Sequence, residues 1–137
     1  MPGQTAHKQY KQVQVKTANK GKLVIMLYQG CVKFLRLAKK SIKEEKIEDA
    51  NNYIIRSQDI IRELMNTLDM EKGGEIANNL YQLYDFMNRK LIEANVNKDI
   101  EKIEVVEDMM LELLDSWKQI VQGQNKKTKN SQVNIRK

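Results

Sequence analysis

This sequence has almost nothing for covalent or metal chemistry. It contains one cysteine, Cys31, so no internal disulfide can form, which fits a reducing compartment. Cys31 lies in an apolar run and reads as a small buried hydrophobe rather than a reactive thiol, which would want a base nearby. The only histidine is His7, near the N-terminus, so no helix offers the Glu-x-x-His pairs of a two-metal bundle. No GxxxxGK[ST] or GxGxxG loop is present to hold phosphates. No enzymatic activity, cofactor or metal is therefore expected. One proline and six glycines leave long stretches without a helix breaker.

At 137 residues the chain suits one domain. Its Leu, Ile, Met, Lys and Glu content points to an all-α protein. The formal charge of +6 is unevenly spread. Residues 1–22 hold five lysines and no acid, and residues 124–137 hold five basic residues and no acid. The intervening body carries 14 basic and 18 acidic residues. A nucleic-acid binder usually carries its basic stripe on the folded face, so the tails read as solvating ends.

Four helical stretches are expected, near Gly21–Glu44, Ile47–Met70, Glu75–Asn95 and Lys98–Gln122. Lys72-Gly73-Gly74 and Asn95-Val96-Asn97 mark breaks, with Asn97 as the expected N-cap of the fourth helix. The break near Glu45-Lys46 has no Gly or Pro. Short connections imply an antiparallel up-down four-helix bundle. The expected division is an N-terminal segment over 1–19 packing on the bundle, a bundle over 20–123, and a disordered basic tail over 124–137.

On a helical wheel the second, third and fourth helices each show one apolar arc. The first is different. "LVIMLYQGCVKFLRLA" (residues 23–38) has twelve apolar residues in sixteen, and its polar stripe is only Gln29, Lys33, Arg36 and Lys40. Lys33 and Arg36 interrupt the run, so it is not a membrane span. It also begins too late for a secretory leader and lacks a small-x-small cleavage site. Three coverings are open for the surplus apolar surface: a central place in the bundle, the N-terminal segment, or a partner.

Several short motifs occur in one order and spacing. These are Tyr10-x-x-Val13-x-Val15-x-Thr17-Ala18, then Gly21, Leu23 and "MLYQG" at 26–30, then "NLYQLYDFMNRKLIEAN" at 79–95, "NKDIEKIEVVEDMM" at 97–110, and Trp117. Over about Tyr10 to Ile120 the chain resembles the FliS family of flagellar secretion chaperones. It departs from the family where Asn19-Lys20-Gly21-Lys22 replaces the usual Pro and acid, and in lacking the usual turn residues between the first two helices.

The resemblance implies a cytoplasmic export chaperone. It would hold the C-terminal helical region of flagellin, block premature polymerisation and assist delivery to the type III export apparatus. Further partners would be an export-gate component and other flagellar regulators, with no nucleic acid and no membrane insertion. The free protein would be a monomer or homodimer. The expected site has Tyr10 and Val13 as a displaceable cover and Leu23, Leu27, Tyr28, Ile55 and Tyr84 at or near the groove. Ile55 rests on the wheel alone, and each helical residue is equally readable as core. A self-associating bundle and a nucleic-acid-binding bundle using the basic tails remain rival readings.

Overall fold

In the computed structural model, residues 2–135 are described as backbone and residues 20–123 with side chains. The chain forms four helices: α1 (Pro2–Lys43), α2 (Ile47–Asn66), α3 (Gly74–Asn97) and α4 (Ile100–Ile135). No strand occurs among the described residues. The expected four helices form, in the expected order. Two of them are longer than apolar periodicity suggested, α1 beginning at Pro2 and α4 running to Ile135. The extensions are rich in Gln and Lys, which favour helix without supplying an apolar face.

α1 packs on α2 and α4, and α3 packs on the same two, giving a four-cornered bundle. Side-chain contacts fix an antiparallel register along three of its edges. Between α1 and α2, Phe34 stacks on Tyr53 while the Cys31 thiol faces the Ser57 carbonyl one turn on. Between α2 and α3, Asn95 Nδ2 donates to Asn51 Oδ1 at 2.7 Å, and Gln58 Nε2 donates to the Asn88 carbonyl at 3.4 Å. Between α1 and α4, Arg36 and Lys39 meet Glu107, while Trp117 meets Tyr28. Gly21 lets the α1–α4 edge close at its end, because a Cβ there would lie 2.8 Å from Val121 Cγ2.

The buried centre comes chiefly from α1 (Tyr28, Cys31, Leu35), α2 (Ile54, Ile61, Leu64), α3 (Tyr84, Met87, Leu91) and α4 (Ile103, Val106, Met110). Thus the wide apolar arc of α1 is covered mostly inside the bundle. Leu23 and Met26 are the large apolar residues of its described part left exposed.

The turns explain the helix limits. α1 stops at a Schellman-type turn without glycine: Lys46 N–H donates to the Ser41 carbonyl at 2.8 Å, and Glu45 takes the left-handed φ of 62°. α3 ends in the same way, with Lys98 left-handed (φ 52°) and Asp99 N–H on the Ala94 carbonyl at 2.9 Å. Asp99, not Asn97, then caps α4. Its Oδ1 accepts from Glu101 N–H at 3.0 Å and Lys102 N–H at 3.4 Å. Asn97 is still inside α3, so its side chain cannot take that role. The α2–α3 turn passes through Gly73 and Gly74, the latter at φ +55°, a conformation glycine adopts without steric cost.

Candidate functional site

At the end of the bundle where α1 leaves Lys20, α2 turns into α3, and α4 passes Val121, the helices leave an open cleft of about 620 Å³. Val24 and Tyr84 are buried at its base, and Leu68, Leu80 and Trp117 are half-buried around them. Ile76 is 74% exposed and Ile120 50% exposed, so part of the rim is apolar and faces solvent. A helix edge with bulky aliphatics facing water at a concave site is the arrangement that accepts another apolar surface.

Polar groups at the cleft are few and of two kinds. Lys20, Lys22 and Lys72 border it with ammonium groups, and Asp69 is the one acid among its lining residues. Asp69 Oδ1 already accepts from the N–H groups of Glu71 (3.2 Å) and Lys72 (3.0 Å), bracing the turn. Deeper in, Trp117 Nε1 donates to the Tyr28 hydroxyl at 3.1 Å, and that hydroxyl is also hydrogen-bonded to Tyr84. Burial raises the pKa of both tyrosines; hydrogen bonds from Tyr84 and Trp117 partly offset this for Tyr28. Both hydroxyls therefore stay protonated and act as neutral links between the cleft and the centre of the bundle.

No nucleophile is poised here. Cys31 is fully buried, and desolvation pushes its thiol up to about 12, which agrees with its reading as a small hydrophobe. No cluster of three metal-ligating side chains occurs among the described residues. Among the same residues, no helix is long and apolar enough to cross a membrane.

The expected site residues are scattered relative to the cleft. Tyr28 and Tyr84 come together through their hydroxyls, but Tyr28 is wholly interior; Tyr84 lines the cleft at its base. Leu27 is half-buried and lines no part of the cleft. Leu23 is 52% exposed, on the turn of α1 that also carries the lining residues Lys22 and Val24. Ile55 is 42% exposed on α2, about three turns from the cleft residues Thr67 and Leu68. The side chains of Tyr10 and Val13 lie outside the described residues.

Sequence reasoning placed Ile76, Leu80, Trp117, Ile120 and Val121 on core arcs and missed that they border an opening. The antiparallel order carried a signal for it. Ile76 lies in the first turn of α3, just after the Gly-Gly turn, and Ile120 lies near the same end of the bundle, so both border the opening.

Comparison with known proteins agrees with this architecture. The family described as Flagellar protein FliS matches residues 3–124. The chain is 37% identical to the flagellar secretion chaperone FliS of Bacillus subtilis (strain 168), over 90% of this chain and 91% of that protein. It is 36% identical to the flagellar secretion chaperone FliS of Campylobacter jejuni, over 88% of this chain and 94% of that protein. A crystal structure of a bacterial flagellar chaperone, 20% identical, superposes with a TM-score of 0.75 over 89% of this chain and 99% of its own, which shows the shared fold.

Proposed function

The chain belongs to the flagellar protein FliS family, and from that premise we propose that it is a cytoplasmic export chaperone for flagellin. It holds the C-terminal helical region of flagellin, keeps it from polymerising early, and assists its delivery to the export apparatus. The observation that carries this reading is the open cleft, where exposed Ile76 and Ile120 stand over buried Val24 and Tyr84. An amphipathic client helix seated there would bury these aliphatics without any covalent chemistry.

Residues 1–19 would cover the apolar site when no client is bound, with Tyr10 and Val13 as the covering side chains. Folding back requires α1 to break near Gly21, where glycine makes helix cheaper to lose than alanine would by roughly 1 kcal/mol. Residues 20–123 form the binding body, and 124–137 a solvating basic tail.

Calorimetric titration of the full chain with the C-terminal segment of its flagellin, against a scrambled peptide, tests the reading. One-to-one binding with a negative heat-capacity change is expected, since apolar surface leaves water. No binding by a folded, monodisperse sample would overturn it. Given binding, Tyr10→Ala should raise client affinity by removing the competitor.

A further inference from the structure

Resting on that reading, we propose that the cleft selects a client helix that carries carboxylates beside its apolar stripe: the ligand class is an acidic amphipathic helix. The mouth holds three lysines, Lys20, Lys22 and Lys72, all exposed and none in an ion pair with another described residue. Its single acid, Asp69, has one carboxylate oxygen committed to two backbone N–H groups of the α2–α3 turn. The remaining lining is dominated by aliphatic and aromatic side chains. A segment entering this site meets an apolar base and a cationic rim at once.

The chain's own ends are poor matches for that rim. Residues 1–19 and 124–137 contain no Asp or Glu and carry three and five basic residues respectively. Either one laid across the cleft would set lysines against lysines, so a cover made from residues 1–19 is held by apolar contact against charge repulsion. A client helix with Asp or Glu at the edge of its stripe gains where the cover loses. That difference favours exchange of cover for client, and it provides discrimination against other apolar helices. Steering by the rim also speeds encounter, an effect that weakens as salt shortens the screening length.

The test uses the full chain and two synthetic peptides. One is the C-terminal helical segment of flagellin; the other is the same peptide with every Asp and Glu replaced by Asn and Gln. Affinities are measured at low and high salt for the wild type and for the double variant Lys22→Glu/Lys72→Glu. Helical content by circular dichroism checks that the variant is folded, and Lys22→Arg/Lys72→Arg controls for shape. The wild type should bind the native peptide about tenfold more tightly than the amide peptide at low salt, converging at high salt. The Glu variant should lose that preference, and the Arg variant should keep it. Equal affinity for both peptides, with no salt dependence, would overturn the charge-selective cleft while leaving flagellin binding intact. Failure of the wild type to bind either peptide would overturn the functional reading itself. Concentration-dependent dimerisation lost in the Glu variant would assign the cleft to a second copy of this chain instead.

Discussion

α1 and α3 stand at opposite corners of the bundle and use apolar residues in opposite ways. α1 is the greasier by sequence, yet the bundle takes in most of its surplus: Val24, Tyr28, Cys31, Val32, Leu35 and Ala38 are buried along one helix. α3 looks more ordinary, yet Ile76, Tyr81, Leu83, Phe86, Ile92 and Val96 are all exposed. The width of an apolar arc measures how much a helix has to bury. It does not say whether the surrounding bundle covers it. α1 serves mainly cohesion, while α3 presents apolar surface that the described residues leave uncovered.

The widest gap between the two helices should appear in stability. Leu35 is completely buried, so Leu35→Ala should cost about 2–5 kcal/mol through lost transfer energy and a residual cavity. Ile92→Ala on α3, at a residue 55% exposed, should cost under about 1 kcal/mol. Urea denaturation of both variants reads the difference directly. Equal losses would mean that α3's outer face is packed in solution and that the comparison is wrong.

A smaller effect concerns the acid that α4 buries against α1. Glu107 is only 6% exposed. Its Oε1 accepts from Arg36 Nε at 3.0 Å and its Oε2 from Lys39 Nζ at 2.7 Å. Burial alone would raise its pKa, but the hydrogen bonds and charges of Lys39 and Arg36 together hold it below the usual carboxylate value of 4.5. A depressed folded pKa contributes stability above the unfolded value, lost as pH falls from about 4.5 through the folded value. Glu107→Gln should therefore destabilise the protein by about 1–2 kcal/mol at pH 7, discounted because Arg36 is largely exposed. The difference from wild type should shrink steadily as pH drops below that window. A constant difference across pH would mean the carboxylate's charge contributes nothing.

Where the two helices agree is their ends. Both close on a left-handed residue with a Cβ, Glu45 after α1 and Lys98 after α3. Glu45→Gly should stabilise by about 0.5–1 kcal/mol, because glycine takes that conformation without the Cβ penalty. Lys98→Gly should gain less, since Lys98 Nζ also donates to the Asn95 carbonyl and Oδ1, both at 2.7 Å. Thermal melts of the two variants give the ranking.

These ends also show what the sequence could and could not disclose. The all-α bundle was legible because each helix repeats its apolar residues near every 3.6 positions and Gly73-Gly74 marks a turn. The break at Glu45 was faint because the usual glycine is absent and the backbone bears the strain. Glu107 was legible in retrospect: it falls between Ile103 and Met110 on the buried arc, with Arg36 on the facing helix as its partner. The cleft was harder. A wheel assigns Ile76, Trp117 and Ile120 to an inner face, but only the relative heights of the helices reveal that the bundle ends before it can cover them. Ile55 lies away from the cleft, and an outward aliphatic on a wheel carries no information about distance from a concavity.

The smallest expected change in stability is also the most informative. Ile76 is in the first turn of α3 and 74% exposed, so Ile76→Ser removes few contacts and should alter folding stability by no more than about 0.5 kcal/mol. The same substitution removes an aliphatic rim from the cleft. Burying an isoleucine side chain contributes roughly 1.5–3 kcal/mol, so client affinity should fall by about tenfold or more. Paired urea and calorimetric measurements on one variant separate the two roles. A stability loss like that of Leu35→Ala would place Ile76 in the core, and unchanged affinity would move the client elsewhere on the bundle. Lost affinity with retained stability would make the exposed aliphatics of α3 the functional counterpart of the buried ones of α1.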